Sequence, residues 1–162
     1  MFEVELKAEA LQRSLDRVEA GATDLSPLMS EIAEYLLTST EKRFGEGAGP
    51  DGTPWAPKSE ATIKAYERSK ETYSLLPLIR SGDLRRTISS GSDSENAFVG
   101  SGAIQAAVMQ FGAAKGAFGT MANGSSIPWG TIPARPFLGL SEEDEVQLVA
   151  IVEDWLESLI DD

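Results

Sequence analysis

The chain has 162 residues with a hydrophobic fraction of 41%, which predicts one globular domain over residues 1–162 with a sizeable core. It contains neither cysteine nor histidine, which excludes disulfides, thiolate and histidine metal sites, and the Ser-His and Cys-His catalytic pairings. The formal net charge is −12, yet residues 141–162 hold nine acids and no base while residues 51–86 carry seven bases against five acids, so the acidity sits in one segment and the clustered Lys and Arg that grip DNA are missing.

Residues 2–6 alternate apolar and acidic side chains and predict a short strand. Ala8, Leu11, Leu15 and Val18 then recur at helical spacing, in a helix expected to end at Gly21. Ser26-Pro27 opens a second helix, with a capping serine and proline at the first helical position. Leu28, Ile32, Tyr35 and Leu36 form its buried stripe, and Gly45, Gly47, Gly49 and Pro50 are expected to stop it near Arg43 or Phe44. Residues 50–57 are turn-rich, with Trp55 among three prolines. Ser59 is placed to cap a third helix over residues 60–73, with Ile63, Tyr66 and Tyr73 on one side.

Residues 87–90 and 97–100, separated by a Gly/Ser/Asp turn, predict a hairpin, and 103–111 two turns of helix stopped at Gly112. Residues 112–131, rich in Gly and Ala and almost without periodicity, predict either a flexible loop or a segment that orders on assembly. The final helix starts at Ser141, with Asp144 spaced as in a capping box and standing where Glu or Gln is usual. Leu148, Ile151, Val152, Trp155 and Leu159 share one face, Val149 and Leu156 lie along its edge, and Glu153, Glu157 and Asp161 lie opposite. That pattern predicts a half-buried helix of about 18 residues with a solvated acidic back. No apolar run reaches the length of a membrane span, and no signal-peptide pattern opens the chain.

These elements add up to an α+β class: a small antiparallel sheet packed against several helices, with long Gly/Pro-rich loops and a C-terminal amphipathic helix. Glu142, Glu143, Asp144 and Glu145 point about 100° apart in succession, so they do not converge on one ion and are read as a solvated first turn that complements the helix dipole. No catalytic, cofactor-binding or metal-binding residue is assigned. Arg135, held extended by Pro136, is either a rigid entry that packs Phe137 into the core or an anchor between subunits. Trp55 is either a plug beneath its loop or a partner contact. Arg80, Arg85 and Arg86 are read first as partners for the protein's own acids. The interface candidates are thus Asp51, Trp55, Arg85, Phe111, Arg135 and Phe137, with Glu153, Glu157 and Asp161 as an acidic face.

Taken in order, Arg43-Phe44, Pro50-Asp51-Gly52 with Pro54-Trp55, residues 78–84 with Ser81-Gly82, Val99-Gly100, Gln110-Phe111-Gly112, residues 132–139, and Ser141 with Asp144 resemble the phage virion morphogenesis family, the tail-completion proteins of Mu-like phages and prophages. The resemblance spans residues 26–160. In the family pattern Tyr-Ala and then His precede the Gln-Phe-Gly, whereas this chain has Gln105, Ala106 and Met109 there. A catalytic histidine could not become methionine and leave its chemistry intact, so the departure favours a structural role.

The resemblance implies a non-enzymatic virion component that needs no cofactor and acts at the head-proximal end of the tail or in the head–tail neck. It implies a homo-oligomeric ring, a hexamer, that contacts the tail tube or sheath and the neck or connector proteins. It involves no membrane and no sequence-specific nucleic-acid binding, and the protein passes through the host cytoplasm during assembly. Two rivals stand beside it. One is an acidic DNA mimic that inhibits a host DNA-binding protein; the other is a carboxylate-based glycan hydrolase, which would need two facing acids.

Overall fold

A computed structural model describes residues 8–70 and 72–161, the side chains of 8–11 and 161 excepted. The strand expected over residues 2–6 lies outside the described residues. In chain order the elements are α1 (Ala8–Thr23), α2 (Ser26–Glu46), α3 (Glu60–Ser69), α4 (Asp83–Arg86), β1 (Ile88–Ser92), β2 (Ala97–Ser101), α5 (Ala106–Phe111) and α6 (Glu142–Asp161). The architecture is α+β, with the C-terminal helix in place.

Helix boundaries differ from expectation at several points. Gly21 does not end α1: a Cβ there would stand 2.5 Å from the Leu159 side chain, so the glycine is the gap in which α6 packs. Ser26 is not the cap of α2, because Leu25 holds that position and the Asp24 carboxylate accepts the Ser26 N–H at 3.0 Å. Gly45 lies within α2, which runs on to Glu46 and is capped by Gly47, whose φ of 72° lets its N–H return to the Arg43 carbonyl. The third helix stops four residues early, at Ser69, because Lys70 turns left-handed. Its cap is the expected one, with Ser59 Oγ accepting the Thr62 N–H at 3.2 Å.

β1 and β2 pair antiparallel with Ile88 opposite Ser101 and Ser92 opposite Ala97. Asp93 closes the turn by accepting the Glu95 and Asn96 N–H groups at 2.8 and 2.7 Å. The hairpin packs on α2, and α6 packs on α1 and α2. The core is small and aromatic: Phe44 and Phe137 are fully buried, and the Phe44 ring meets both Trp55 and Phe137 edge-on at 5.5 Å. Leu78, Leu84 and Ile88 complete it.

Candidate functional site

Segment 132–141 crosses the protein outside any helix and leads into α6, and nearly every polar group around it is committed to holding it. Gln110, at the end of α5, acts as a surrogate strand. Its Oε1 accepts the N–H groups of Phe137 and Leu138, both at 3.0 Å, and its Nε2 donates to the Leu138 carbonyl at 2.9 Å. The Arg135 N–H donates to the Met109 carbonyl at 2.7 Å. On the opposite side the Trp55 indole donates to the Pro136 carbonyl at 2.8 Å. The Arg135 guanidinium reaches the Ala56 and Pro57 carbonyls at 2.7 and 3.0 Å. The loop carrying Trp55 is itself pinned, because Asp51 accepts the Thr53 N–H and hydroxyl at 3.0 and 2.9 Å. These bonds hold the Asp51 carboxyl below its ordinary value.

The far end of the segment is tied by a buried ion pair. Arg43 donates to the Phe137 and Gly139 carbonyls at 3.0 and 2.8 Å and forms a short contact with Asp144. Asp144 is 1% exposed, and it also accepts from Tyr35, Ser39 and the Ser141 N–H. Ser141 Oγ accepts the Asp144 N–H in return at 3.1 Å, so the expected capping box is present. The reading of all four acids as a solvated first turn is therefore corrected: Glu142, Glu143 and Glu145 are exposed, but Asp144 is a buried anion. Burial opposes its charge, yet hydrogen bonds from Ser39, Ser141 and Tyr35 outweigh that and hold the carboxyl at about 2. Burial and the same carboxylate push the Tyr35 phenol up to about 12.

From this clasp two features project. Residues 113–132 form an arm closed at its root by paired bonds between Ala113 and Ile132, at 2.9 and 2.8 Å. Further out, Phe118 N–H donates to the Ile127 carbonyl and Ile127 N–H to the Gly119 carbonyl, both at 2.8 Å. The backbone is thus a ragged hairpin, and it exposes Phe118, Met121 and Trp129, with Phe111 79% exposed beside its root. Gly112 joins arm to α5 at a φ of 74°, where a Cβ would meet the Ala134 nitrogen and the Ile132 oxygen at 2.8 Å. The second feature is α6, whose edge leaves Val146, Val149, Leu156 and Ile160 in solvent.

A cleft of about 620 Å³ lies between α3 and the returning arm, lined by Lys58, Tyr66, Met109, Trp129, Pro133 and Arg135. Lys58 donates to the Ser74 and Ile79 carbonyls and lies 5.4 Å from the Tyr66 ring centre. Burial, and then Arg135 and Arg80, lower its pKa. Among the described residues no three acids gather as a metal cluster would require, and no helix is long and apolar enough to cross a membrane.

The structure separates the sequence-derived candidates into three groups. Trp55, Arg135 and Phe137 converge at 6, 7 and 0% exposure, where they hold the backbone of the clasp, and the Arg135 side chain also lines the cleft. Asp51 and Arg85 are at the surface, Arg85 paired with Glu41 at 3.1 Å. Phe111, Glu153 and Glu157 are exposed, and the Asp161 side chain lies outside the described residues. Sequence reasoning missed Arg43, Gln110 and Asp144 as partners. An arginine beside Phe44 on the apolar side of a helix was the one available signal for the first.

Residues 6–157 match the phage virion morphogenesis family. The chain is 27% identical over 161 residues to Mu-like prophage FluMu G protein 2 of Haemophilus influenzae, covering 99% of each chain. It is 29% identical over 151 residues to tail completion protein S of Escherichia phage P2, covering 90% of this chain and 97% of the relative. It is 30% identical over 149 residues to putative capsid assembly protein G of Escherichia phage Mu, covering 90% of this chain and 87% of the relative. No solved structure matches.

Proposed function

Because the chain belongs to the phage virion morphogenesis family, we propose that it is a structural, non-catalytic assembly protein. In this reading it forms a sixfold ring at the head-proximal end of the tail or in the neck, and completes the tail or joins it to the head. Its partners are further copies of itself, the tail tube or sheath, and neck or connector proteins. It resides in the virion, and in the host cytoplasm while particles are built. The names of the P2 and Mu relatives, tail completion and putative capsid assembly, support an assembly role.

The observation that carries the reading is the disposition of the clasp. The segments on which the family resemblance rests, Arg43-Phe44, Trp55, Gln110-Phe111-Gly112, 132–139 and Ser141 with Asp144, meet in space and spend their polar groups on backbone. What they position is a set of solvent-facing apolar side chains on the arm and on α6, and exposed patches of that kind mark docking surfaces. The arm docks against a partner on assembly, and Phe111 and the exposed loop at Asp51 contribute to the contact. The acidic back of α6, with Glu157 of the expected acidic face and Asp154 beside it, faces the DNA channel and repels the duplex.

Deleting the gene tests the function: particles are expected without completed or attached tails. Normal numbers of infectious tailed particles would refute the role. A reconstruction of the assembled particle with the acidic back of α6 on its outer perimeter would refute the channel orientation alone.

A further inference from the structure

α6 has three faces where its sequence pattern suggested two. Leu148, Ile151, Val152, Trp155 and Leu159 face the protein, and Asp154 and Glu157 face solvent behind them. Between these lies a stripe formed by Val146, Val149, Glu153, Leu156 and Ile160, stepping by three and four residues along the helix. Its four apolar members are 42–66% exposed. That spacing keeps side chains in register along one line, as a helix needs in order to lie in a groove. A single carboxylate sits at its centre.

The cleft under the arm has the complementary chemistry. Its walls are the Trp129 and Tyr66 rings, Met109 and Pro133, and two cations, Lys58 and Arg135, lie along them. Every hydrogen bond that Lys58 and Arg135 make among the described residues ends on a backbone carbonyl, and none on a carboxylate. The Arg135 Nη1 group has no hydrogen-bond partner among the described residues and is not fully buried. Two neighbouring cations held in a half-buried cleft with no carboxylate partner among the described residues are costly, and an entering carboxylate removes that cost. The chain-wide pattern agrees, since the excess of bases lies in 51–86 and the excess of acids in 141–162.

We propose that the exposed edge of α6 of one copy docks in the cleft beneath the arm of the next, with Glu153 of the neighbouring copy reaching Lys58 and Arg135. This rests on the ring reading above and names the contact that would build the ring. A cleft of about 620 Å³ admits a few side chains and not a whole helix. Glu153 and Leu156 therefore enter it, while Val149 and Ile160 rest on its rim. The two surfaces share no residue, so the contact is head-to-tail, and its repetition builds a ring when the rotation between copies closes.

The test uses purified full-length protein, alone and with tail tubes lacking it, with assembly followed by sedimentation velocity and native mass spectrometry. Glu153→Lys and Val149→Glu are each expected to weaken assembly at least tenfold, with circular dichroism unchanged. Glu157→Lys, on the acidic back, is expected to leave assembly intact. Combining Glu153→Lys with Lys58→Glu is expected to restore most of what Glu153→Lys removes. Because the chain has no cysteine, Val149→Cys and Trp129→Cys can be mixed as separate proteins and cross-linked with a short bismaleimide, a route that does not depend on Lys58→Glu folding. A covalent dimer is expected. Assembly by the wild type together with an unaffected Glu153→Lys, or the absence of the cross-link, would overturn the docking mode and leave the ring standing. A wild type that stays monomeric with and without tubes would overturn both.

Discussion

Replacing Asp144 with asparagine keeps the shape of the clasp and removes its charge. Asp144 is 1% exposed and accepts from Arg43, Tyr35, Ser39 and Ser141. Breaking a buried pair from one side leaves the other charge uncompensated, which costs about 3–5 kcal/mol. Two carbonyls still receive Arg43 in the variant, which favours the lower end, about 3 kcal/mol. For a domain of this size that lowers Tm by about 6–12 °C.

The pH dependence gives an independent magnitude. The carboxyl falls from an ordinary 3.8 to about 2 on folding, worth about 2 kcal/mol at 1.36 kcal/mol per unit. Because the folded value is the lower one, this stability is fully present above pH 3.8 and is lost as pH falls through about 2. The assay is urea unfolding followed by tryptophan fluorescence at pH 7 and at steps down to pH 2. Wild type should converge on Asp144→Asn as the acid end is approached. Glu143→Gln is the control: that side chain is 71% exposed and paired with Lys42 at 3.5 Å, so its loss should cost under about 0.5 kcal/mol. If Asp144→Asn unfolds within about 1 kcal/mol of wild type at pH 7, the clasp does not hold the C-terminal segment as argued.

Gln110→Ala removes the acceptor of two backbone N–H groups, so a loss of about 2–4 kcal/mol in urea unfolding is expected; a loss under about 1 kcal/mol would mean that water replaces the side chain. Gly112→Ala combines left-handed strain with a backbone clash at 2.8 Å, whereas Gly124→Ala at a φ of 80° meets nothing within 4 Å. The first should cost about 3 kcal/mol and the second about 1–2 kcal/mol by the same unfolding assay; equal losses would show that the arm's root yields. Phe118→Ala and Trp129→Ala, both exposed, should leave Tm within about 2 °C while lowering the yield of infectious particles in complementation of a gene deletion. Unaltered yield would remove the arm from the docking surface.

Signals that act within one helical turn were readable in advance. Ser59 capping Thr62, the reciprocal Ser141 and Asp144 bonds, Asp93 closing the hairpin and Gly112 ending α5 each involve groups at most six residues apart. Gly21 defeated the same logic, because the reason for its glycine is Leu159, on another helix. The alternatives left open for Trp55 and Arg135 turned on burial. Both side chains are held against carbonyls about 80 positions away, since Trp55 donates to Pro136, and Arg135 to Ala56 and Pro57.

Composition, periodicity and capping by themselves determined the α+β class, most element positions, the concentration of acid in α6 and the ordered motifs that resemble the phage virion morphogenesis family. Only the tertiary structure decided that one acid of that helix is buried against Arg43, 101 positions earlier, and that the arginine and aromatic of 135–137 face inward. A helix cap or a hydrophobic stripe is set by neighbours within a few residues, where sequence distance and spatial distance coincide. Desolvation of a charge is set by whatever the fold brings against it, and there the two distances part.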